Sequence, residues 1–540
     1  MNFIADETDQ KLRGGYYTPT PIAKLLVDWV SEINPKSILE PSCGDGAFLS
    51  SIKKAGLSSV KDIHGFELDP EEASKAKSIP LKGLKIKQAD FLNWYVTNEH
   101  KLPVFDAVVG NPPFIRYQYL PEAQKLLAER IFKSLQLPFT KHTNAWVPFV
   151  LASIKMLNPG GRLAMVIPSE ILHLPHARSL RKYLLSQCSK ILIIDPQELW
   201  FEGTLQGTVL LLAEKIKSSN FKKHGAAVSS IRSLGDVSKG LGSRFKKAIF
   251  SNHSGLESKW MSLLLTKSER ELLNKVTKHP QVARFEDLAS VDVGIVTGAN
   301  KFFLVSDSVV DEFGLHEWVH PMFGRSDHLK GLVHTTENQI YNQSSGLPSN
   351  FLYFDVDDYE ALPKNVQLYI DSGVDQNLQK RFKCRNRSPW FRVPSVYKSP
   401  LAMLKRAHHY PRLVLNQAES YSTDTAYRVN PTTTTAAETL VGSFVNSLTC
   451  LSAELEGRSY GGGVLELVPS EIERLLLPHV GLKKTLKKRN KDFIGKESAE
   501  SFLLKQDTEI LIQGLGLSET DAQILHSAWG RLRNRRQRKS

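Results

Sequence analysis

The apolar run ending at Gly110 is followed by Asn111-Pro112-Pro113-Phe114. Two consecutive prolines cannot continue a β-ladder, so the backbone there is held as an extended loop. That loop presents an amide side chain and carbonyls that have no ladder partner. Such groups suit chemistry at an exocyclic amine, for example adenine N6, whose lone pair is delocalised into the ring. Two acceptors holding the amine hydrogens, the Asn111 side-chain oxygen and the Pro112 carbonyl, would draw the nitrogen toward tetrahedral geometry and free that lone pair. No strong base is then needed. Phe114 would stack on the base once it has left the duplex. Pro-Pro-Phe alone also describes a rigid turn with a core aromatic, and it is the preceding Asn at a strand end that favours the chemical reading.

A nucleoside site is legible upstream. Strand Ser37–Glu40 runs into Pro41-Ser42-Cys43-Gly44-Asp45-Gly46 and then a helix, which places a glycine turn at the carboxyl edge of a first strand, where doubly wound sheets bind nucleotides. The third glycine of the dinucleotide fingerprint is Leu49 here, which disfavours a pyrophosphate loop. Glu67 follows Gly46 by 21 residues, the offset of an acid that grips ribose hydroxyls. Asp90 and Phe91, after a third strand, would accept from an adenine amino group and stack on its face. An adenosine without phosphates fits best.

These groups must be carried by a sheet. Short β-branched runs predict strands at Ser37–Glu40, Ile63–Glu67, Leu84–Gln88, Asp106–Gly110, Leu163–Pro168, Ile191–Ile194 and Thr208–Ala213. Three- and four-residue apolar spacing predicts helices at Ala47–Ala55, Trp146–Leu157 and Ala177–Leu185, with Pro159-Gly160-Gly161 stopping the second. The alternation is that of βαβ units. Lys215–Lys247, rich in Ser, Lys and Gly, reads as a linker or an irregular connection.

Composition narrows the class. At 540 residues, with 41% hydrophobic and 23% charged, several soluble domains are expected, and no apolar run approaches a membrane span. The N-terminus has no secretory pattern, so the expected location is the cytoplasm. Cys43, Cys188, Cys384 and Cys450 have no metal-ligand spacing, and neither zinc nor disulfides are expected. A net charge of +14 favours a polyanionic partner, and the last 60 residues hold 14 Lys/Arg against seven Asp/Glu.

Residues 14 to about 214 resemble the S-adenosylmethionine-dependent DNA methyltransferases that act on amino groups, of the gamma-class adenine-N6 type. The resemblance implies a Rossmann-like class I methyltransferase domain, α/β with a mostly parallel seven-stranded sheet, followed by an irregular α+β target-recognition domain. It assigns Tyr17, Thr18 and Pro19 of Gly15-Tyr16-Tyr17-Thr18-Pro19 to the segment over the methionine part of the cofactor. It also assigns Glu40, Pro41, Cys43, Gly44 and Gly46 to the cofactor loop, Glu67 with Leu68 to the ribose, and Asp90 and Phe91 to the adenine. Asn111, Pro112, Pro113 and Phe114 become the catalytic motif, with Asn111 also at the cofactor. Phe201 matches a second stacking aromatic, although the adjacent Trp200 could serve instead. Asn144 to Gly161 resembles the helix and turn behind the catalytic loop.

Domain limits are expected at 1–240 for the methyltransferase, 241–480 for target recognition and 481–540 for a basic C-terminal extension. The second half is basic and rich in aromatics. Val293 to Lys301 and Arg458 to Val464 resemble segments of the family's specificity domains, and Arg381, Lys383, Arg385, Arg387, Trp390 and Arg458 are candidate contacts to DNA. Glu257-Ser258-Lys259 fits a nuclease's Glu-x-Lys, but no Pro-Asp precedes it, so no nuclease is expected within the chain. His173, His176, His408 and His409 lack ligand companions and read as structural.

The expected activity is methyl transfer to adenine N6 in duplex DNA by a monomeric modification enzyme, with a cognate restriction endonuclease acting separately. The same loop chemistry serves N4-cytosine, RNA-base and protein-glutamine methylation, which stay open as alternatives. A DNA-binding specificity subunit with a relic methyltransferase fold is the non-enzymatic alternative.

Overall fold

The computed structural model describes residues 17–198, 200, 207–218, 223–252, 256, 258–460, 462–495 and 498–537. Phe201, Gly15, Tyr16 and Glu257 lie outside these. The chain divides between Thr266 and Lys267 into two compact units. Among the described residues no helix is long and apolar enough to cross a membrane.

The first unit is built on eight strands: β1 (Ser37–Glu40), β2 (Asp62–Glu67), β3 (Leu84–Gln88), β4 (Phe105–Gly110), β5 (Leu157–Pro168), β6 (Cys188–Pro196), β7 (Thr208–Lys215) and β8 (Gly225–Ile231). They lie in the order β3-β2-β1-β4-β5-β7-β6-β8. β7 is antiparallel to both β5 and β6, and the other pairings are parallel. The carboxyl ends of β1, β2, β3 and β4, which carry the candidate groups, therefore share one edge. Where the pattern predicts seven strands there is an eighth, β8, inside the stretch read as a linker. Its Gly-Ala-Ala start has no β-branched signal, and it becomes a strand by pairing with β6 from Lys190↔Gly225 to Pro196↔Ile231.

One face of the sheet is covered by α1 (Thr20–Ser31) and α2 (Ala47–Ala55), whose Ile22, Leu26, Trp29, Phe48 and Ile52 enter a single core with strand residues Ile38, Val109 and Leu210. A helix at Leu241–Lys247 adds Phe245, whose ring lies 4.9 Å from that of Trp29. This packing carries the first unit past residue 240, so the boundary falls later than the pattern predicts. The buried Arg162 of β5 donates to the Trp29 carbonyl at 2.7 Å, tying α1 to the sheet.

Two further helices, α3 (Glu122–Ser134) and α4 (Trp146–Lys155), precede β5. α4 ends before Pro159-Gly160-Gly161, which lies inside β5. There the register shifts between Phe105 and Ala107 of β4, a bulge the small residues accommodate.

The second unit contains a five-stranded sheet formed by β9 (Ala289–Val293), β10 (Val333–His334), β11 (Leu401–Leu404), β12 (Leu413–Asn416) and β13 (Ala426–Pro431), in the order β9-β13-β11-β12-β10, with smaller sheets around it. The C-terminal stretch is part of this unit and not a separate extension. Helix α6 (Glu519–Gln537) buries Ala522, Leu525, Ala528, Trp529 and Leu532, and packs on α5 (Ser447–Glu456). The basic residues of the expected C-terminal extension have acidic partners: Arg536 meets Glu454 at 2.7 Å, Arg531 meets Glu269 at 2.6 Å, and the fully buried Arg489 pairs with Glu509. Ser447, the first residue of α5, donates its backbone N–H to the buried Asp507 at 2.7 Å.

Candidate active site

The glycine turn closes β1 onto α2. Gly44 (φ +50°) and Gly46 (φ +86°) are left-handed, and the Gly46 N–H donates to the Cys43 carbonyl at 2.8 Å. The two glycines serve different ends. A Cβ on Gly46 would come within 2.4 Å of the Ile79 side chain, whereas a Cβ on Gly44 would meet nothing within 4 Å. Gly46 allows helix packing, and Gly44 faces open space at the strand edge. Cys43 lies beneath the turn, 4% exposed, and burial followed by Glu40 and Glu67 pushes its thiol up, so it is neutral packing and not a thiolate.

Glu67 binds the turn to the end of β2. Its carboxylate accepts from the Gly44 N–H at 2.8 Å and from the Leu68 and Asp69 N–H groups at 2.8 and 2.9 Å. Leu68 beside it is 65% exposed, an apolar surface at this edge. Glu40, at the end of β1, is 1% exposed, and neither of its oxygens has a hydrogen-bond partner among the described residues. Burial, then the charges of Asp45 and Glu67, raises its pKa well above the ordinary value. A buried carboxyl in this state lacks a donor or cation that a ligand in the cleft can supply.

Asp90 stands at the end of β3, but its carboxylate has local work. Oδ1 accepts from the Leu92 and Asn93 N–H groups at 2.8 and 3.2 Å as an N-cap, and Oδ2 accepts from the Gln124 side chain of α3. Phe91 departs from the expectation. Its ring is 2% exposed and packs 5.3 Å from Phe66 and 5.5 Å from Phe149, so it supports the edge from within the core and presents no face to a nucleoside. The apolar surface at this edge comes instead from Leu68 and the ring of Tyr17. Tyr17 is half exposed, with its hydroxyl donating to Glu72 at 3.1 Å. Thr18 is buried and Pro19 caps α1.

The Asn111-Pro112-Pro113-Phe114 loop leaves β4 beside this turn. The Ser42 hydroxyl donates to the Asn111 carbonyl at 3.1 Å, and a Cβ on Gly110 would lie 3.3 Å from Pro41 Cδ. The glycine turn and the prolyl loop are therefore in direct contact. Pro112 is buried, while Asn111, Pro113 and Phe114 are half-buried, with Phe114 against the core under the turn. Behind the loop, the Ala145 N–H donates to the Ile115 carbonyl at 2.9 Å, and the Tyr117 N–H donates to Asn144 Oδ1 at 3.1 Å. Asn144 Nδ2 in turn donates to Glu170 Oε2 at 2.9 Å. Trp200, the alternative stacking residue, is 9% exposed within the core, and its indole N–H donates to Glu198 at 2.9 Å. Packing thus accounts for it.

Residues 2–230 match the family N-6 DNA Methylase, and residues 257–511 match the Type II methyltransferase M.Eco57I, C-terminal domain. Residues 2–230 are an N-6 DNA methylase domain. Relatives of this methylase include Type II methyltransferase M.AccI of Acinetobacter calcoaceticus, 24% identical over 487 residues that cover 86% of the chain and 85% of the relative. Another is Type II methyltransferase M.XamI of Xanthomonas campestris pv. amaranthicola, 22% identical over 86% of the chain and 85% of the relative. Among solved structures, the type IIG restriction endonuclease BpuSI aligns with 97% of the methylase and 66% of its own chain, at 14% identity and TM-score 0.42. A nuclease-deletion mutant of the Type ISP restriction-modification enzyme LlaGI aligns with 88% of the methylase and 54% of its own chain, at 12% identity and TM-score 0.49.

In the second unit of the methylase, the candidate DNA residues separate into two groups. Arg381, Lys383 and Arg385 are exposed, and among the described residues none makes an ion pair. The other three are engaged within the fold. Arg387 donates to the Thr297 and Val296 carbonyls at 2.8 and 2.5 Å, Trp390 packs 5.4 Å from Phe302, and Arg458 meets the buried Glu471 at 3.0 Å. Charge and aromaticity could not separate these groups, because the difference lies in which neighbours the turn brings near. Gln124 and Glu170 carried no signal in the sequence, and Ser42 and Asn144 were read only as parts of their segments, with no role of their own. Each acts through a partner at least 26 positions away.

Proposed function

We propose that this methylase transfers a methyl group from S-adenosylmethionine to N6 of a flipped adenine at specific sites in duplex DNA, as a monomeric, cytoplasmic modification enzyme whose cognate nuclease is a separate protein. The observation that carries this reading is the Ser42–Asn111 contact, which joins a phosphate-free nucleoside edge to an amide-bearing prolyl loop. S-adenosylmethionine suits that edge: it is cationic, and the buried Glu40 has no donor partner among the described residues. Tyr17, Thr18, Glu40, Gly44, Gly46, Glu67, Leu68 and Asp90 would hold it, with the adenine amino group at Asp90 in competition with Gln124. When bound, the cofactor supplies an electrophilic methyl group on sulfur.

The remaining work belongs to the chain. Asn111 Oδ1 and the Pro112 carbonyl accept the two hydrogens of the target amine and localise its lone pair toward the methyl donor. Phe114 stacks on the extruded base and holds its plane. The same two oxygens would pass the proton that the amine gives up on to solvent. Rings and cations of the second unit select the sequence.

Tritiated S-adenosylmethionine offered with duplex DNA, tRNA or protein, followed by nucleoside analysis of the product, tests the proposal. The expected product is N6-methyladenine in DNA, at a short motif revealed by sequencing methylated bases. Label in RNA or protein, or N4-methylcytosine, would overturn it.

A further inference from the structure

From Gln376 to Ala418 the chain carries ten Lys/Arg and no Asp or Glu. The structure pairs several of these cations with acids from elsewhere, among them Arg392 with Asp355 at 2.8 Å, Lys398 with Glu419 at 3.2 Å and Arg406 with Glu466 at 2.8 Å. One turn stays uncompensated. Lys380, Arg381, Lys383 and Arg385 are all exposed, and among the described residues none of them makes an ion pair.

At the centre of this turn Phe382 is 63% exposed. The Arg385 guanidinium and the Lys383 ammonium lie 5.3 and 5.7 Å from its ring centroid. Beyond these cation–π contacts the ring buries little surface, yet its backbone is well held. The Arg385 N–H donates to the Arg381 carbonyl at 2.9 Å, and Cys384 is fully buried, with its Sγ 3.2 Å from the position of a Cβ on Gly298. Arg387 clamps the exit of the turn onto the Val296 and Thr297 carbonyls. The ring is therefore displayed by a rigid turn and does not belong to a frayed one.

We propose that Phe382 is a base-stacking residue of the recognition unit, which inserts its ring against a base step of duplex DNA while Lys380, Arg381, Lys383 and Arg385 bind the flanking phosphates. The inference rests on the DNA-methylation reading and extends it to a contact that this reading does not require. Cations and an exposed ring on one turn are the combination that holds a polyanion whose bases have π-faces.

The test is fluorescence anisotropy of full-length protein with labelled duplex over a salt series, for the parent, Phe382→Ala, Phe382→Leu, Phe382→Trp and Arg385→Ala. Phe382→Ala is expected to weaken binding about 5- to 100-fold with an unchanged salt slope, because the ring neutralises no phosphate. Phe382→Leu should lose nearly as much, since it keeps apolar bulk without a π-face, and the emission of Phe382→Trp should be quenched on binding. Arg385→Ala should instead lower the slope by about one. Both positions are exposed, so unchanged melting curves identify folded variants. Full affinity in Phe382→Ala or Phe382→Leu, with Arg385→Ala impaired, overturns the stacking role and leaves the methylation reading intact. A parent that neither binds nor methylates duplex DNA overturns both.

Discussion

Asn144 is expected to control the position of the catalytic loop without touching any substrate. It is 8% exposed, and its side chain makes two bonds: it accepts from the Tyr117 N–H at 3.1 Å and donates to Glu170 at 2.9 Å. Replacing it with Ala leaves a backbone donor and a carboxylate without this partner. The neutral bond contributes about 1 kcal/mol and the charge-assisted one about 2, so a loss of about 3 kcal/mol is expected. For a unit of this size that is a fall in Tm of about 6–12 °C. The loop would keep its Ala145–Ile115 bond but lose its hold at Tyr117. A displacement of about 1 Å at the acceptors would lower kcat roughly 100-fold. Calorimetry and single-turnover transfer from tritiated cofactor measure the two effects. The KM for cofactor should stay near the parent value, because Glu40, Gly44 and Glu67 lie on β1, the turn after it and β2, away from Asn144 in sequence and hydrogen bonding. Glu170→Gln, which keeps an acceptor oxygen, should cost about 1 kcal/mol and little rate. If Asn144→Ala leaves both Tm and kcat unchanged, the loop is held by something else and this reasoning fails.

Asn111→Ala should abolish transfer while calorimetric cofactor binding and duplex binding persist; loss of cofactor binding would mean that the loop is structural. Duplex affinity should fall by roughly 150-fold between ~50 and ~200 mM salt if Lys380, Arg381, Lys383 and Arg385 each meet a phosphate, and a flat dependence would remove the polyanion from the account. Glu40 has a folded pKa above its ordinary 4.5, so its burial is neutral below that value and opposes folding increasingly as pH rises past it. Glu40→Gln should therefore melt above the parent by a margin that widens from pH 4 to pH 7, while binding cofactor more weakly. A margin independent of pH would show that Glu40 does not carry this penalty.

Local order was readable wherever chemistry depends on backbone. The strand ends at Glu40, Glu67 and Gly110 lie where β-branched runs meet Gly and Pro, because those residues punctuate a chain regardless of what packs on it. The prolyl loop and the glycine turn follow for the same reason. β8 was hidden because a strand in which Gly, Ala and Ser outnumber the β-branched Val228 and Ile231 gives a weak local signal, and it forms on the ladder that β6 offers. Phe91 was misplaced as a stacking ring because spacing cannot say which side of a helix start faces the cleft.

Side-chain destinations were the larger gap. Arg381 and Arg387 are the same residue type in the same basic run, but one stands in solvent and the other spans two carbonyls 90 positions back. The charge of the last 60 residues looked like a tail until Glu269, Glu454 and Glu509 came beside it. Residue type and near-neighbour spacing carry the chemistry a chain can do, since backbone torsion and periodicity are local. Which groups are spent on the fold and which remain for DNA depends on contacts between distant segments, and these exist only after the chain has packed.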